Sequence, residues 1–133
     1  MKTLFKTLAA ASLVLSAAVA NAEVVVIVSA KSSASTMTAD DIANIYLGKS
    51  SSMKPVDNAT PVRSQFYTKV AGKDEAQVKA IWSKLVFTGK ATPPKELASN
   101  ADVVKAVAAD PNAIGYVDKS AVDGSVKVVY EVK

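Results

Sequence analysis

The sequence contains neither cysteine nor histidine, and the two absences remove whole classes of chemistry. Without a thiol there is no disulfide staple, no thiolate nucleophile and no zinc–thiolate centre, so the fold must rest on packing alone. Without an imidazole the commonest general base and the commonest metal ligand are missing together. A Ser-His-Asp hydrolase is excluded, and neither serine–lysine nor paired-carboxylate spacing is present to replace it. The chain therefore reads as a non-enzyme that needs no cofactor and no metal. An excess of one charge is scarce too. Sixteen basic residues face 12 acidic ones. Setting aside Lys2 and Lys6 leaves 14 basic side chains, scattered rather than clustered, which gives no support for nucleic-acid or membrane-surface binding.

What is present begins with an export pattern. Lys2 and Lys6 precede the uncharged apolar run Leu8 to Val19, which ends at Ala20-Asn21-Ala22. A basic start, a short apolar run and a small-x-small site are what signal peptidase reads. The run is shorter than the roughly 20 residues that cross a bilayer, and no cysteine follows the site to carry a lipid. The expectation is a cleaved signal peptide over residues 1–22 and a periplasmic or secreted domain over residues 23–133, with no membrane anchor. That domain is long enough for one core.

Along it, Val24-Val25-Val26-Ile27-Val28 is a continuous β-branched run, the mark of a central strand covered on both faces. Ser29 to Thr36 is a serine-rich loop. Thr38 and Asp41 are spaced as a capping box, Ile42, Ile45 and Tyr46 follow at helical spacing, and Gly48 suits a left-handed C-terminal cap. Pro55-Val56 is a brief extended piece. Thr60-Pro61 predicts a helix start with Thr60 as the cap, followed by Val62, Phe66 and Val70 until Gly72. A further helix from about Asp74 carries Val78, Ile81, Trp82, Leu85 and Val86 on one face, so that the two form a helical pair. Lys95 to Ala98 is a short strand or an extended link. Ser99 or Asn100 caps a helix bearing Val103, Val104, Val107 and Ala108, and Ala113 to Val117 is a buried strand. Val126, Val128, Tyr130 and Val132 alternate with Lys127, Val129 and Glu131 as in a half-exposed edge strand. Alternating strands and helices predict an α/β layer structure, a mixed sheet flanked by helices.

At Ile45-Tyr46-Leu47-Gly48-Lys49 and at Pro111-Asn112-Ala113-Ile114-Gly115-Tyr116-Val117 the chain resembles the phosphate-type periplasmic substrate-binding proteins of ABC transporters, within the type 2 periplasmic binding protein superfamily. Leu85-Val86-Phe87-Thr88-Gly89-Lys90 with Pro93-Pro94 is similar to a small, single-lobe branch. Full-size members hold an anion between two lobes, and this chain has room for one. The resemblance implies a small oxyanion such as phosphate as ligand. It also implies a partner, such as an ABC permease or another periplasmic protein, that supplies the missing lobe surface.

In that family a Ser-Gly-Thr helix start presents amides and hydroxyls to phosphate. The matching positions here are Thr60, Pro61 and Val62, where proline has no amide hydrogen and valine no hydroxyl. Arg63 still offers a fork of donors. Candidate ligand contacts are thus Thr60 and Arg63, joined by Ser29 and Ser32 because they follow a strand end. Each has a plainer reading: helix capping for Thr60, a surface ion pair for Arg63, loop composition for the serines. Two functions follow, an oxyanion-binding lobe or an interaction or sensor module that kept the fold and lost the ligand.

Overall fold

A computed structural model describes residues 23–133; the signal-peptide expectation lies outside the described residues. Five strands form one mixed sheet in the order β3-β2-β4-β1-β5. Strand β1 (Val24–Ser29) is buried at every position, as its unbroken β-branched run requires, and lies antiparallel to both β4 (Ala113–Asp118) and the edge strand β5 (Val126–Glu131). Strand β2 (Lys54–Asn58) runs parallel to β4 and to the short outer strand β3 (Lys95–Leu97).

Helices cover both faces, and β1 divides its side chains between them. Val24, Val26 and Val28 join a core with α1 (Ala39–Tyr46), α2 (Val62–Phe66) and α3 (Glu75–Phe87). Val25 and Ile27 join a second core under α4 (Asn100–Ala109). The α1 capping box forms as its spacing predicts: Asp41 N–H donates to Thr38 Oγ1 at 3.1 Å and Thr38 N–H to Asp41 Oδ2 at 3.3 Å. Gly48 takes φ +76, a left-handed conformation that favours glycine, where the end of α1 meets Trp82 and Leu85 of α3. Tyr46 locks this layer to the sheet. Its hydroxyl lies 2.8 Å from the Val56 carbonyl and 3.0 Å from that of Ile114, and Trp82 Nε1 donates to the Tyr46 carbonyl at 2.7 Å.

Four local expectations are corrected. Thr60 is not a helix cap: Pro61 occupies the cap position in helical backbone with no side-chain bond to it, and α2 starts at Val62. The helix then widens into a π-helical turn, Tyr67–Ala71, which ends at Gly72 in the left-handed region. This turn packs on α1 rather than pairing with α3. Val86 faces out at 45 % exposure, although its spacing placed it on the core face. In β5 a bulge opposite Val26 and Ile27 breaks the alternation. Val126 and Val129 are consequently buried and Val128 is exposed, because one extra residue reverses which face the following side chains meet.

Gly115 sits where α4 crosses β4, and an added Cβ would lie 2.8 Å from both Val103 Cγ1 and Val107 Cγ2. Gly115→Ala is expected to destabilise the protein by about 1–3 kcal/mol through overpacking. The check is a lowered urea midpoint with an unchanged slope. Gly124→Ala, where nothing lies within 4 Å, is expected to leave the midpoint near wild type.

Candidate binding site

The richest polar cluster lies at the carboxyl end of β2. Asp57 and Glu96 are direct neighbours in the parallel β2–β3 pair, which places two carboxylates side by side. Arg63, the one arginine of the sequence, lies between them from the first turn of α2. Its Nη1 pairs with Asp57 Oδ2 at 3.4 Å and with Glu96 Oε2, and its Nε lies 3.4 Å from Glu75 Oε1 at the start of α3. One cation therefore ties four elements together. Its side chain is 21 % exposed and that of Asp57 13 %, so the pair is shielded from the screening that weakens surface bridges. Partial burial alone lowers the pKa of Arg63, but the hydrogen bond to Glu96 and the charges of Asp57 and Glu96 outweigh it and hold the value above the usual one.

Beneath the ion cluster lies an aromatic floor. Phe66 and Tyr116 stack with centroids 3.9 Å apart, and Tyr46 meets Phe66 edge-on at 4.9 Å. Tyr116 donates its hydroxyl proton to Asp57 Oδ1, and the Asp57 carboxylate also raises the pKa of Tyr67, after burial. Asn58 is fully buried and satisfied. Its Nδ2 donates to the Tyr116 carbonyl at 2.8 Å and to Asn100 Oδ1 at 2.9 Å, while its Oδ1 accepts from Thr60 N–H at 3.0 Å. Thr60 Oγ1, by contrast, is a buried atom without a hydrogen-bond partner.

Outside this cluster opens a cleft of about 490 Å³ bounded by Arg63, Tyr67, Ala76, Lys79, Trp82 and Pro93, with Asp57, Glu75 and Glu96 at its polar end. Three carboxylates against one guanidinium and one ammonium give the cleft a net negative charge. A free oxyanion would meet repulsion there, and Nη1 and Nε of Arg63 already face carboxylates.

The four residues expected to contact a ligand do not form one group. Thr60 and Arg63 share the carboxyl end of β2. Ser29 and Ser32 follow β1, which runs antiparallel to β4 and so ends at the opposite edge of the sheet. Ser29 Oγ donates to the Ala108 carbonyl at 3.2 Å and accepts from Lys31 N–H, and Ser32 Oγ accepts from Ala34 N–H. Sequence reading missed Asp57, Asn58, Glu75, Glu96, Tyr67 and Tyr116. The available signal was the polar pair Asp57-Asn58 closing a short strand beside Pro55 and Val56.

No family model and no curated protein matches the sequence. Solved structures do. A protein of Clostridium perfringens assigned as a phosphate ABC transporter substrate-binding protein, with bound phosphate, superposes with a TM-score of 0.65 at 20 % identity, over 81 % of this chain and 44 % of that one. PstS of Borrelia burgdorferi gives 0.60 at 12 %, covering 82 % and 47 %. An ABC-type phosphate transport receptor of Vibrio cholerae gives 0.54 at 16 %, covering 81 % and 45 %. The chain thus has the fold of a phosphate-type periplasmic binding protein over a single lobe, and it spans less than half the length of these proteins.

The aromatic floor has a pH signature. The hydroxyls of Tyr46, Tyr67 and Tyr116 are all pushed above the ordinary tyrosine value, first by burial and then by neighbouring acidic groups. The folded state therefore favours neutral phenols. Their contribution is complete below the unfolded pKa of about 10 and is lost as pH rises beyond it. The urea midpoint is expected to fall between about pH 9 and about pH 11, and to fall less in Tyr116→Phe. An unchanged alkaline midpoint would contradict this burial.

Proposed function

We propose that the chain acts outside the cytoplasm, in phosphate-type transport or sensing, as a non-catalytic lobe that has the fold of a solute-binding protein and works by docking on a protein partner. Alone it is not a receptor that encloses phosphate. The observation that carries this reading is the state of Arg63, whose guanidinium is shared among Asp57, Glu75 and Glu96. An anion would have to compete with these carboxylates for Nη1 and Nε, at a helix start where Pro61 supplies no N–H. The likeness to phosphate receptors over one lobe supports the transport setting and supports a partner, of which an ABC permease is one kind. Fold analogy by itself does not carry their ligand. The export pattern at residues 1–22 and the absence of histidine and cysteine support the compartment and the non-catalytic role.

A direct oxyanion contact is the second reading, favoured by the buried, unpartnered Thr60 Oγ1 beside this corner. Calorimetric titration of the exported, purified protein with phosphate and sulfate separates the two. No heat of binding is expected up to millimolar anion. A saturable signal in the micromolar range, abolished by Thr60→Val, would overturn the docking reading and install the direct one.

A further inference from the structure

We propose that a second copy of this chain occupies the cleft beside Arg63, with the two α3 helices packed antiparallel about a twofold axis and Phe87 of each copy entering the other's cleft. This deepens, and rests on, the reading of the chain as a docking module. The exposed end of α3 is the first observation. Phe87 is 91 % and Val86 45 % exposed, an unusual place for a phenyl ring at the tip of a helix. Lys79, Trp82, Ser83, Val86 and Phe87 recur at i, i+3, i+4, i+7 and i+8, which is one continuous stripe, and with Pro93 they line a shallow groove of about 460 Å³. At the other end of that stripe, Ala76 and Trp82 form a wall of the 490 Å³ cleft.

Charge selects the occupant. The cleft end holds Asp57, Glu75 and Glu96 against Arg63 and Lys79. The Phe87 end holds Lys84 and Lys90 with no carboxylate between them in sequence, and neither lysine joins an ion pair among the described residues. A helix that is acidic at one end and basic at the other is complementary to its own copy reversed. Glu75 and Phe87 lie equally far from Ile81 in sequence. A twofold axis near Ile81 and Trp82 therefore lays each Phe87 over the partner's cleft, about 18 Å along the helix from its Glu75. The same operation brings Lys84 and Lys90 toward the partner's acidic end, the reciprocal pairing that an isologous interface requires.

The test is the mass of the protein, expressed from its full-length sequence and purified from the exported fraction, by sedimentation equilibrium. A concentration-dependent dimer is expected. Phe87→Asp should weaken association at least about tenfold, as loss of a central aromatic anchor does, with an unchanged thermal melt at dilutions where the wild type is monomeric. The cysteine-free chain also allows an orientation test. Mixing Lys79→Cys with Ser83→Cys protein should give a 79–83 disulfide between copies, while a parallel arrangement would favour like-with-like bonds. A monomer at every concentration, or a dimer indifferent to Phe87→Asp, would overturn the proposal. If that monomer also shows no phosphate heat, the self-association alone falls and docking on another protein stands. Phosphate heat would instead remove the docking reading itself.

Discussion

The fold's polar end depends on one shared charge. Parallel pairing of β2 with β3 puts Asp57 beside Glu96, an arrangement that like-charge repulsion opposes. Arg63 offsets it, and by reaching Glu75 it also fixes the start of α3. Removal of the guanidinium would leave a partly buried carboxylate uncompensated, and loss of one partner from such a pair is the costly case. The short outer strand β3, which has little apolar burial of its own, is held largely by this cluster and by its backbone pairing.

The same arrangement decides what the site does. A guanidinium at a strand end beside a helix start is well placed for an oxyanion, and the fold is the one that phosphate receptors use. Yet placement is not availability. Asp57 is oriented by Tyr116 on one side and by Arg63 on the other. Its charge is therefore built into the floor of the cleft, and the surface left open is acidic at one end and apolar at the other. Such a surface suits a protein carrying a basic, aromatic projection better than it suits phosphate, and α3 displays a projection of that kind at Phe87.

Much of the fold was legible because its signals are local. The β-branched run of β1 required cover on both faces, Thr38 and Asp41 stood at capping distance, and Gly48 marked the end of α1. The parts that were not legible depend on tertiary geometry. Thr60-Pro61 has the composition of a helix start, but Asn58 accepts from the Thr60 amide, Thr60 Oγ1 caps nothing, and the helix begins at Val62. The bulge in β5 is set by pairing with β1 and reverses the phase from Val128 to Val129. The burden on Arg63 was invisible because Asp57, Glu75 and Glu96 are up to 39 residues apart in sequence and meet only through strand order. Ser29 and Ser32 were grouped with Thr60 by the rule that ligands gather at strand ends. The antiparallel direction of β1 places its end at the opposite edge.

Because the chain contains a single arginine, the Nε–H signal of Arg63 is one unambiguous cross-peak in a ¹⁵N–¹H correlation spectrum. Titration with phosphate reads the central claim at the atom concerned. If the guanidinium is committed to its three carboxylates, the peak keeps its position through millimolar phosphate. A saturable shift of that peak would show that the anion reaches Arg63 and would contradict the account.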